Sequence, residues 1–220
     1  MERRLLDTTD LFAALPPDVL DALSAHATLR TLSRNEILFR EGDPSDALYV
    51  IQEGRVAIAT QSGDGRETVF AVLEDGELFG ELPLFDDSPR SADARALTQA
   101  KVIELGYQPV RAVLREQPEL LWAIVRPLAL RLRATNEALS DAVFLDVPAR
   151  TAKRLLELAG AESRFNLPVT QEELAAMVGA SRERVNKAIS LFVRLGWLEI
   201  EGRSSYRILD RESLEDRATL

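Results

Sequence analysis

The sequence predicts an α+β protein in which an antiparallel β-roll is followed by a long helix and then by a winged helix-turn-helix. Three observations lead to this class. Short apolar runs alternate with turn residues between Leu29 and Gly106, apolar residues recur every three or four positions within residues 119–146, and two capped helices precede a small hairpin near the end. The predicted divisions are residues 1–117, 118–146 and 147–220.

Composition excludes several classes of site. The 220 residues include no Cys, so no disulfide, thiolate metal site or cysteine-held iron–sulfur cluster can form. The single histidine, His26, argues against a haem sensor and cannot supply the ligand cluster of a cupin-like metalloenzyme. No nucleophile elbow, P-loop or His–carboxylate catalytic pair is present, so we expect no enzymatic activity, no metal site and no cofactor.

Neither a membrane span nor a secretory leader is expected. No run of 18 apolar residues occurs, and the start of the chain, MERRLLDTTD, is too polar for a signal peptide. We therefore expect a soluble cytoplasmic protein that makes no membrane contact.

The net charge of −9 is unevenly distributed along the chain. Residues 148–220 contain 12 basic and 11 acidic side chains, which leaves 15 basic and 25 acidic side chains in the rest. An acidic body joined to a near-neutral C-terminal part fits two domains with different partners.

The N-terminal residues are predicted to form helices. Leu5 to Ala27 has a helical apolar pattern, with Asp10 as a candidate N-cap. Pro16-Pro17 divides the pattern, and Pro17 suits the first turn of a second helix.

The block from Leu29 to Gly106 has the texture of a rolled antiparallel sheet. Alternating apolar runs are separated by turn signals at Gly42-Asp43-Pro44, Glu53-Gly54, Asp64-Gly65 and Asp75-Gly76. Short helices are expected around residues 80–84 and over residues 108–117, where Pro118 ends the second one.

The stretch Glu119–Asp146 predicts a long helix with a narrow apolar seam. Its seam residues follow a 4,3 spacing that is typical of a coiled coil: Leu121, Val125, Leu128, Leu132, Thr135, Leu139 and Ala142. A second copy of the chain or the helix's own domain could cover this seam. Pro127 lies inside the pattern and is expected to kink or open the helix.

The C-terminal part predicts a helix-turn-helix. Thr170 and Glu173 form a capping box, Gly179 ends that helix, and Ser181 caps the next one. Residues 197–209 form the hairpin, or wing. The second helix directs polar side chains outward: Ser181, Arg182, Glu183, Arg184, Asn186 and Lys187.

Such a helix is suited to the major groove of DNA. Arginine donates to guanine and glutamate accepts from cytosine, while Ser181, Thr170 and the amides at the helix N-termini suit phosphates. Gln171, which follows Thr170, is also expected to contact DNA. The alternative is a solvated charged face, which the combination of cap, turn, charged face and wing disfavours.

A second candidate site lies within residues 79–92. Gly80 lets backbone approach a ligand closely, and Arg90 supplies a planar fork for a phosphate. Ser91 adds a hydroxyl and Ala92 keeps the site open. Glu81 suits a ribose hydroxyl; alternatively, this is a surface loop in which Glu81 pairs with Arg90.

These motifs together resemble the cyclic-AMP receptor protein/fumarate–nitrate regulator (Crp/Fnr) superfamily of bacterial transcription factors. The similarity is strongest to the cyclic-AMP-binding branch found in actinobacteria, and it covers essentially the whole chain. The matching segments are Gly80-Glu81-Leu82, residues 89–92, Thr135-Asn136, the hinge at residues 144–147 and residues 178–187.

The resemblance implies a cyclic-AMP site in the β-roll. Glu81 would bind the ribose 2′-hydroxyl, and Arg90 and Ser91 would hold the cyclic phosphate with amides near Gly80 and Leu82. Thr135 would bond the adenine amino group. Its neighbour Asn136 would reach the base bound in the other subunit.

The resemblance also implies partners. These are a double-stranded DNA operator, a second copy of the chain across the long helix, and RNA polymerase. In the recognition helix, Arg182, Glu183 and Lys187 would read bases, and Arg203 on the wing and Thr170 would contact phosphate. A regulator of the same fold that is ligand-independent or senses another effector stays open, as does a regulatory subunit for another protein.

Three departures from the family pattern bear on function. Pro127 lies where the family has no proline, and Lys187 stands where an arginine is common. Asp93 and the pair Asp86-Asp87 add negative charge near the phosphate site, which is expected to weaken anion binding.

Overall fold

The structure, a computed structural model, describes Leu6 and residues 16–63, 67–202 and 204–219, and it leaves out the side chain of Ala123. The chain forms two compact units. The first holds the described residues up to Leu132 apart from 67–69, and the second holds residues 67–69 and those from Arg133 on.

The first unit is built on two four-stranded sheets. Its strands are β1 (Ala27–Leu32), β2 (Ile37–Phe39), β3 (Ala47–Glu53), β4 (Val56–Gln61), β5 (Glu67–Leu73), β6 (Leu78–Phe79), β7 (Asp93–Ala96) and β8 (Ala100–Gly106). The strand orders are β1-β8-β3-β6 and β2-β7-β4-β5, and β1/β8, β3/β8, β2/β7 and β4/β7 pair antiparallel. The antiparallel β-roll is therefore confirmed.

Turn residues divide these strands as the sequence predicts. Gly42, Gly54 and Gly76 all have positive φ at predicted turn points. The predicted turn at Asp64-Gly65 lies outside the described residues.

Strand β3 is buried on both faces and separates two apolar clusters. Leu48 and Val50 point to one face, and Tyr49 and Ile51 point to the other. The first cluster packs helices on the sheet, and the second fills the space between the sheets. The two clusters thus hold β3 in a rigid frame.

Helices cover one end of the roll. They are α1 (Pro17–Ser24), α2 (Leu82–Asp86), α3 (Tyr107–Glu116), a 3₁₀ turn (Pro118–Leu120) and the long α4 (Leu121–Phe144). Pro17 opens α1 as predicted, but that helix ends before Ala27, which begins β1. The predicted cap at Asp10 lies outside the described residues.

Helix α4 runs through Pro127 without interruption. Ile124 is buried in the first unit's apolar cluster, and Leu128 packs against it. Half-buried Leu128 therefore packs on the roll of its own chain, which is one of the two coverings that the sequence leaves open for the seam.

The second unit contains four short helices and a three-stranded sheet after α4. These are α5 (Val147–Ala159), β9 (Arg164–Asn166), α6 (Gln171–Val178), α7 (Arg182–Arg194), β10 (Leu198–Ile200), β11 (Ser205–Ile208) and α8 (Arg211–Arg217). The sheet order is β10-β11-β9. The helix-turn-helix and its hairpin are present, whereas β9 and α8 were not predicted.

The junction between α4 and α5 is short and heavily bonded. Asp146 caps α5 through Ala149 N at 2.8 Å and accepts two hydrogen bonds from Arg217 at 2.6 and 2.7 Å. Arg150 donates to Leu145 O at 3.1 Å. Burial raises the pKa of Asp146, but the hydrogen bonds from Ala149 and Arg217 outweigh this effect, so the pKa is lowered. These bonds attach the last turn of α4 to the C-terminal helices.

Within the described residues, no helix has the length and apolar character needed to cross a bilayer.

Candidate functional site

Arg90 is a buried cation of the β-roll whose described hydrogen-bond acceptors, two carbonyls and a hydroxyl, are all uncharged. It is only 5% exposed. Nη1 donates to Gly80 O at 2.9 Å and to the Tyr107 hydroxyl at 3.1 Å, and Nη2 donates to Ala47 O at 2.7 Å. The guanidinium carbon lies 4.1 Å from the centroid of the Phe39 ring. The protein thus holds the charge in one fixed orientation.

The Nε donor of this guanidinium differs from the two Nη groups. Within the described part of the chain, Arg90 Nε is buried and has no hydrogen-bond partner. A buried unsatisfied donor costs about 1–3 kcal/mol, more when it carries charge. An anionic oxygen would satisfy this nitrogen and compensate the buried charge, so Arg90 fits a phosphate ligand.

Gly80 fits closely under the guanidinium. Its φ is +73°, and a Cβ built there would lie 2.7 Å from Arg90 Nη1. The Tyr107 hydroxyl donates to Gly80 O at 2.6 Å, and burial raises the pKa of that hydroxyl. Gly80 is therefore required both by its backbone conformation and by the position of Arg90.

We predict that Gly80→Ala impairs this site. The added Cβ displaces the guanidinium, so uptake of an anionic ligand should fall about 10-fold, and the left-handed backbone costs about 1–2 kcal/mol of stability. Gly76→Ala is the matched control, because Gly76 has φ +84° with no atom within 4 Å of its built Cβ. Ligand titration and thermal unfolding of both variants check this. Equal ligand affinity in the two variants would contradict the steric argument.

Glu81 lies beside Gly80 and is 3% exposed. Its Oε1 accepts from Arg131 Nη1 at 2.9 Å, and Arg131 Nη2 also donates to Leu78 O. Burial raises the pKa of Glu81, and the attraction of Arg131 opposes this. The alternative in which Glu81 pairs with Arg90 is wrong, since its ion pair is with Arg131 of α4.

The remaining residues of this segment differ in accessibility. Ala92 is buried, Ser91 is exposed and Leu82 is 43% exposed. Ser91 thus presents its hydroxyl at the surface next to the buried Arg90.

The acidic neighbours of the site are already engaged. Asp87 pairs with Arg111 at 2.5 Å, Asp86 accepts from Ser88 N at 3.0 Å, and Asp93 accepts from Glu41 N at 2.7 Å. Their charge is directed to the protein's own donors. Only the Asp87 bond is to a cation, whereas the bonds of Asp86 and Asp93 are from uncharged amides, so the weakening of anion binding expected from these residues stays a prediction.

The second half of α4 is exposed in the single chain. Thr135 and Asn136 lie on its surface, and Leu132 and Leu139 are 62% and 65% exposed. Large apolar side chains at such exposure indicate a face that another surface covers. Thr135 and Asn136 belong to the second unit, and the residues around Arg90 belong to the first.

The helix-turn-helix has the caps that the sequence predicts. Thr170 Oγ1 accepts from Glu173 N at 3.2 Å, and Glu173 Oε2 accepts from Thr170 N at 2.6 Å. Ser181 Oγ accepts from Arg184 N at 3.4 Å. Gly179 has φ +67° between the two helices. The backbone of the turn is thereby fixed from its own sequence.

The outward face of α7 carries the predicted polar side chains. Ser181, Arg182, Glu183, Arg184 and Lys187 are exposed and Asn186 is half-buried, whereas Val185, Ala188, Ile189 and Phe192 are buried. Lys187 Nζ lies 2.6 Å from Glu183 Oε1, and this hydrogen bond lowers the pKa of Glu183. A face of this kind can donate to and accept from base edges.

The exposed face of α7 does not include two residues that were also predicted to contact DNA, Gln171 and Arg203. The Gln171 side chain donates to the Tyr206 hydroxyl at 2.6 Å, and its Oε1 is buried, so its backbone N–H at the start of α6 is the group left to meet a phosphate. Arg203 lies outside the described residues.

Sequence reasoning missed two residues of the roll site, Arg131 and Tyr107. Arg131 lies one helical turn before Thr135, and that spacing was the available signal. Tyr107 gave none, because only the fold brings α3 against Gly80. In the described part of the chain, no group of His, Cys, Asp and Glu could hold a metal ion.

Comparison with known proteins identifies two domains in the chain. Residues 29–117 match the cyclic nucleotide-binding domain, and residues 149–217 match the Crp-like helix-turn-helix domain. The CRP-like cAMP-activated global transcriptional regulator of Mycobacterium tuberculosis is 38% identical over 97% of this chain and 98% of its own. The chain belongs to the Crp/Fnr family. The family resemblance drawn from the motifs is therefore confirmed.

Other family members align over most of their length. The cAMP-activated global transcriptional regulator Vfr of Pseudomonas aeruginosa is 32% identical over 84% of this chain and 91% of its own. The structure of the c-di-GMP responsive global regulator CLP of Xanthomonas campestris has a TM-score of 0.79 at 28% identity, covering 88% of this chain and 99% of that one.

A Crp/Fnr member of this kind is a DNA-binding transcription regulator with a cyclic nucleotide-binding domain. Its relatives are regulators rather than enzymes. The α+β class with a helix-turn-helix after the long helix is the architecture of these relatives.

Proposed function

We propose that this protein is a homodimeric transcription regulator whose DNA binding responds to cyclic AMP. The observation that carries the proposal is the buried Arg90, fixed by Gly80 O, Ala47 O and Tyr107 with its Nε unsatisfied. The relatives named as cAMP-activated support cyclic AMP as the ligand. Its place of action is then the cytoplasm, where DNA is accessible.

In this proposal the phosphate and the ribose of cyclic AMP are each bound by named residues of the roll. Arg90 and Ser91 hold the cyclic phosphate with the amides near Gly80 and Leu82, beside Ala92. Glu81, oriented by its ion pair with Arg131 at 2.9 Å, accepts from the ribose 2′-hydroxyl.

The long helix joins ligand binding to dimer geometry. Thr135 bonds the adenine amino group, and Asn136 reaches the base bound in the partner. We propose 1–117 as the ligand domain, 118–146 as dimer helix and hinge, and 147–220 as the DNA-binding domain. Cyclic AMP must bind the DNA-competent arrangement more tightly, because only differential affinity shifts an equilibrium.

DNA is read by α7 of each subunit. Arg182, Glu183 and Lys187 contact bases, with Arg184 and Asn186 beside them. Ser181, Thr170, Arg203 and the Gln171 amide contact phosphates. Two such helices fit a pseudo-palindromic operator about one helical turn apart, and RNA polymerase is the partner at the promoter.

Calorimetric titration with cyclic AMP and cyclic GMP tests the ligand. The proposal expects one cyclic AMP per chain with selectivity over cyclic GMP. Absence of uptake would remove the sensor role and leave a ligand-independent regulator.

A cyclic dinucleotide is the second candidate ligand. The likeness to the c-di-GMP responsive regulator CLP favours including it. Titration with cyclic di-GMP in the same series separates the two, and tighter uptake of the dinucleotide would overturn cyclic AMP.

We predict that Thr135→Ala blurs ligand selectivity. Loss of one hydrogen bond to the adenine amino group should weaken cyclic AMP binding about 10-fold and leave cyclic GMP nearly unchanged. Ser140→Ala, which removes a hydroxyl from another exposed position of α4, is the control and should alter neither. Unchanged selectivity of Thr135→Ala would refute the adenine contact.

A further inference from the structure

Arg111 fastens the C-terminal end of α2 to helix α3. Its Nε and Nη2 both donate to Leu84 O, at 3.2 and 2.8 Å, and Nη2 also lies 2.5 Å from Asp87 Oδ1. The Arg111 side chain is 30% exposed, while that of Asp87 is 79% exposed. The two bonds to the carbonyl are therefore the better shielded part of this contact.

Helix α2 depends on such a contact. It has five residues, far below the length at which a helix is stable alone, and its last carbonyls lack partners within the helix. Asp87 ends it with φ +54°, an uncommon conformation outside glycine. A cation bonded to a carbonyl in the last turn is favourable for the helix.

The segment from Gly80 to Asp87 is held at both ends by guanidinium groups. Arg90 Nη1 bonds Gly80 O at 2.9 Å at the start, and Arg111 bonds Leu84 O near the end. The backbone of Arg90 is anchored separately, because its N–H donates to Asp43 O at 3.0 Å and its carbonyl accepts from Gly42 N at 2.8 Å. Loss of Arg111 should therefore loosen α2 and leave the backbone of Arg90 in place.

We propose that Arg111 is a positioning residue of the effector site, which acts by fixing α2 and thereby the backbone at Gly80 and Leu82. The inference rests on the proposed ligand function. Arg111 itself touches no ligand group in this scheme. Its effect passes through α2, which carries Glu81 at its N-terminal end.

Hydrogen exchange without ligand and cyclic AMP titration together test the role. In Arg111→Met the amides of Leu82 and of residues 84–87 should exchange about 10-fold faster, and cyclic AMP affinity should fall about 10-fold. Arg111→Lys should recover part of both, since it keeps the charge and one donor. Asp87→Asn should stay within about 3-fold of wild type, because the bonds to Leu84 O remain.

Arg115→Met is the matched control, an exposed arginine one turn further along α3. It should change neither measurement. Unchanged exchange and affinity in Arg111→Met would overturn the inference. Equally faster exchange in β3 and β8 would also overturn it, because the residue would then stabilise the whole roll. If wild type takes up no cyclic AMP, the proposed ligand fails, while exchange at α2 still decides whether Arg111 fixes it.

Discussion

Arg90→Leu is expected to abolish cyclic AMP uptake, with an affinity loss of at least about 100-fold. The change removes a buried guanidinium from the site, and hydrogen bonds to charged groups contribute about 1.5–3 kcal/mol each. It also removes the Arg90 donor from Ala47 O and from the Tyr107 hydroxyl, whereas Gly80 O keeps the hydrogen bond from that hydroxyl. Calorimetric titration measures the affinity, and thermal unfolding shows whether the roll persists.

Two further variants make this result interpretable. Arg90→Lys keeps a positive charge but cannot form the planar fork, so it should recover only a small part of the affinity while restoring stability. Arg115→Leu removes an exposed arginine and should bind like wild type. Retained affinity in a folded Arg90→Leu protein would contradict the phosphate role.

Leu132→Glu is expected to convert the protein to monomers and to lower operator affinity by at least about 100-fold. Leu132 is 62% exposed on α4 in the single chain, so a second copy must cover it if the helix is a dimer seam. A glutamate there is buried unpaired in the dimer. Separating the subunits also removes the gain from binding two half-sites together, which is about 10²–10⁴-fold.

Leu130→Glu supplies the control for this change. Leu130 is 61% exposed on the same helix, two residues away and therefore on nearly the opposite side. Analytical ultracentrifugation should find a dimer for Leu130→Glu and a monomer for Leu132→Glu. Dimers in both variants would place the seam elsewhere.

Much of the fold could be predicted because the local signals agreed with one another. The capping box of Thr170 and Glu173, the turn at Gly179 and the cap at Ser181 each use residues within one or two turns. The β-roll could be predicted from regularly spaced turns such as those at Gly54 and Gly76. Strand β9 has only three residues, too few for a period to register.

The seam shows where periodicity reaches its limit. Leu128 follows the same 4,3 spacing as Leu132, yet it packs on its own roll while Leu132 is exposed. The apolar pattern indicates that a position is covered, but not by which surface. The three-dimensional position of α4 decides this, and no local signal encodes it.

The residues of the candidate site that lie close together in the sequence could be predicted, whereas the residues that support them could not. Gly80, Glu81 and Arg90 lie within eleven residues and form a motif, whereas Arg111, Tyr107 and Arg131 come from helices that follow the roll. Each support bonds a backbone carbonyl or a buried carboxylate. Such contacts depend on tertiary packing, and of the three residues only Arg131, one helical turn before Thr135, leaves a spacing in the sequence.

DNA affinity with and without cyclic AMP tests the central claim most directly. A duplex selected from a random pool by the protein would be titrated in both conditions, at fixed salt because phosphate contacts are salt-dependent. The account predicts DNA binding at least about 10-fold tighter with cyclic AMP, and cyclic AMP binding tighter by the same factor with DNA. Equal DNA affinity in the two conditions would contradict it.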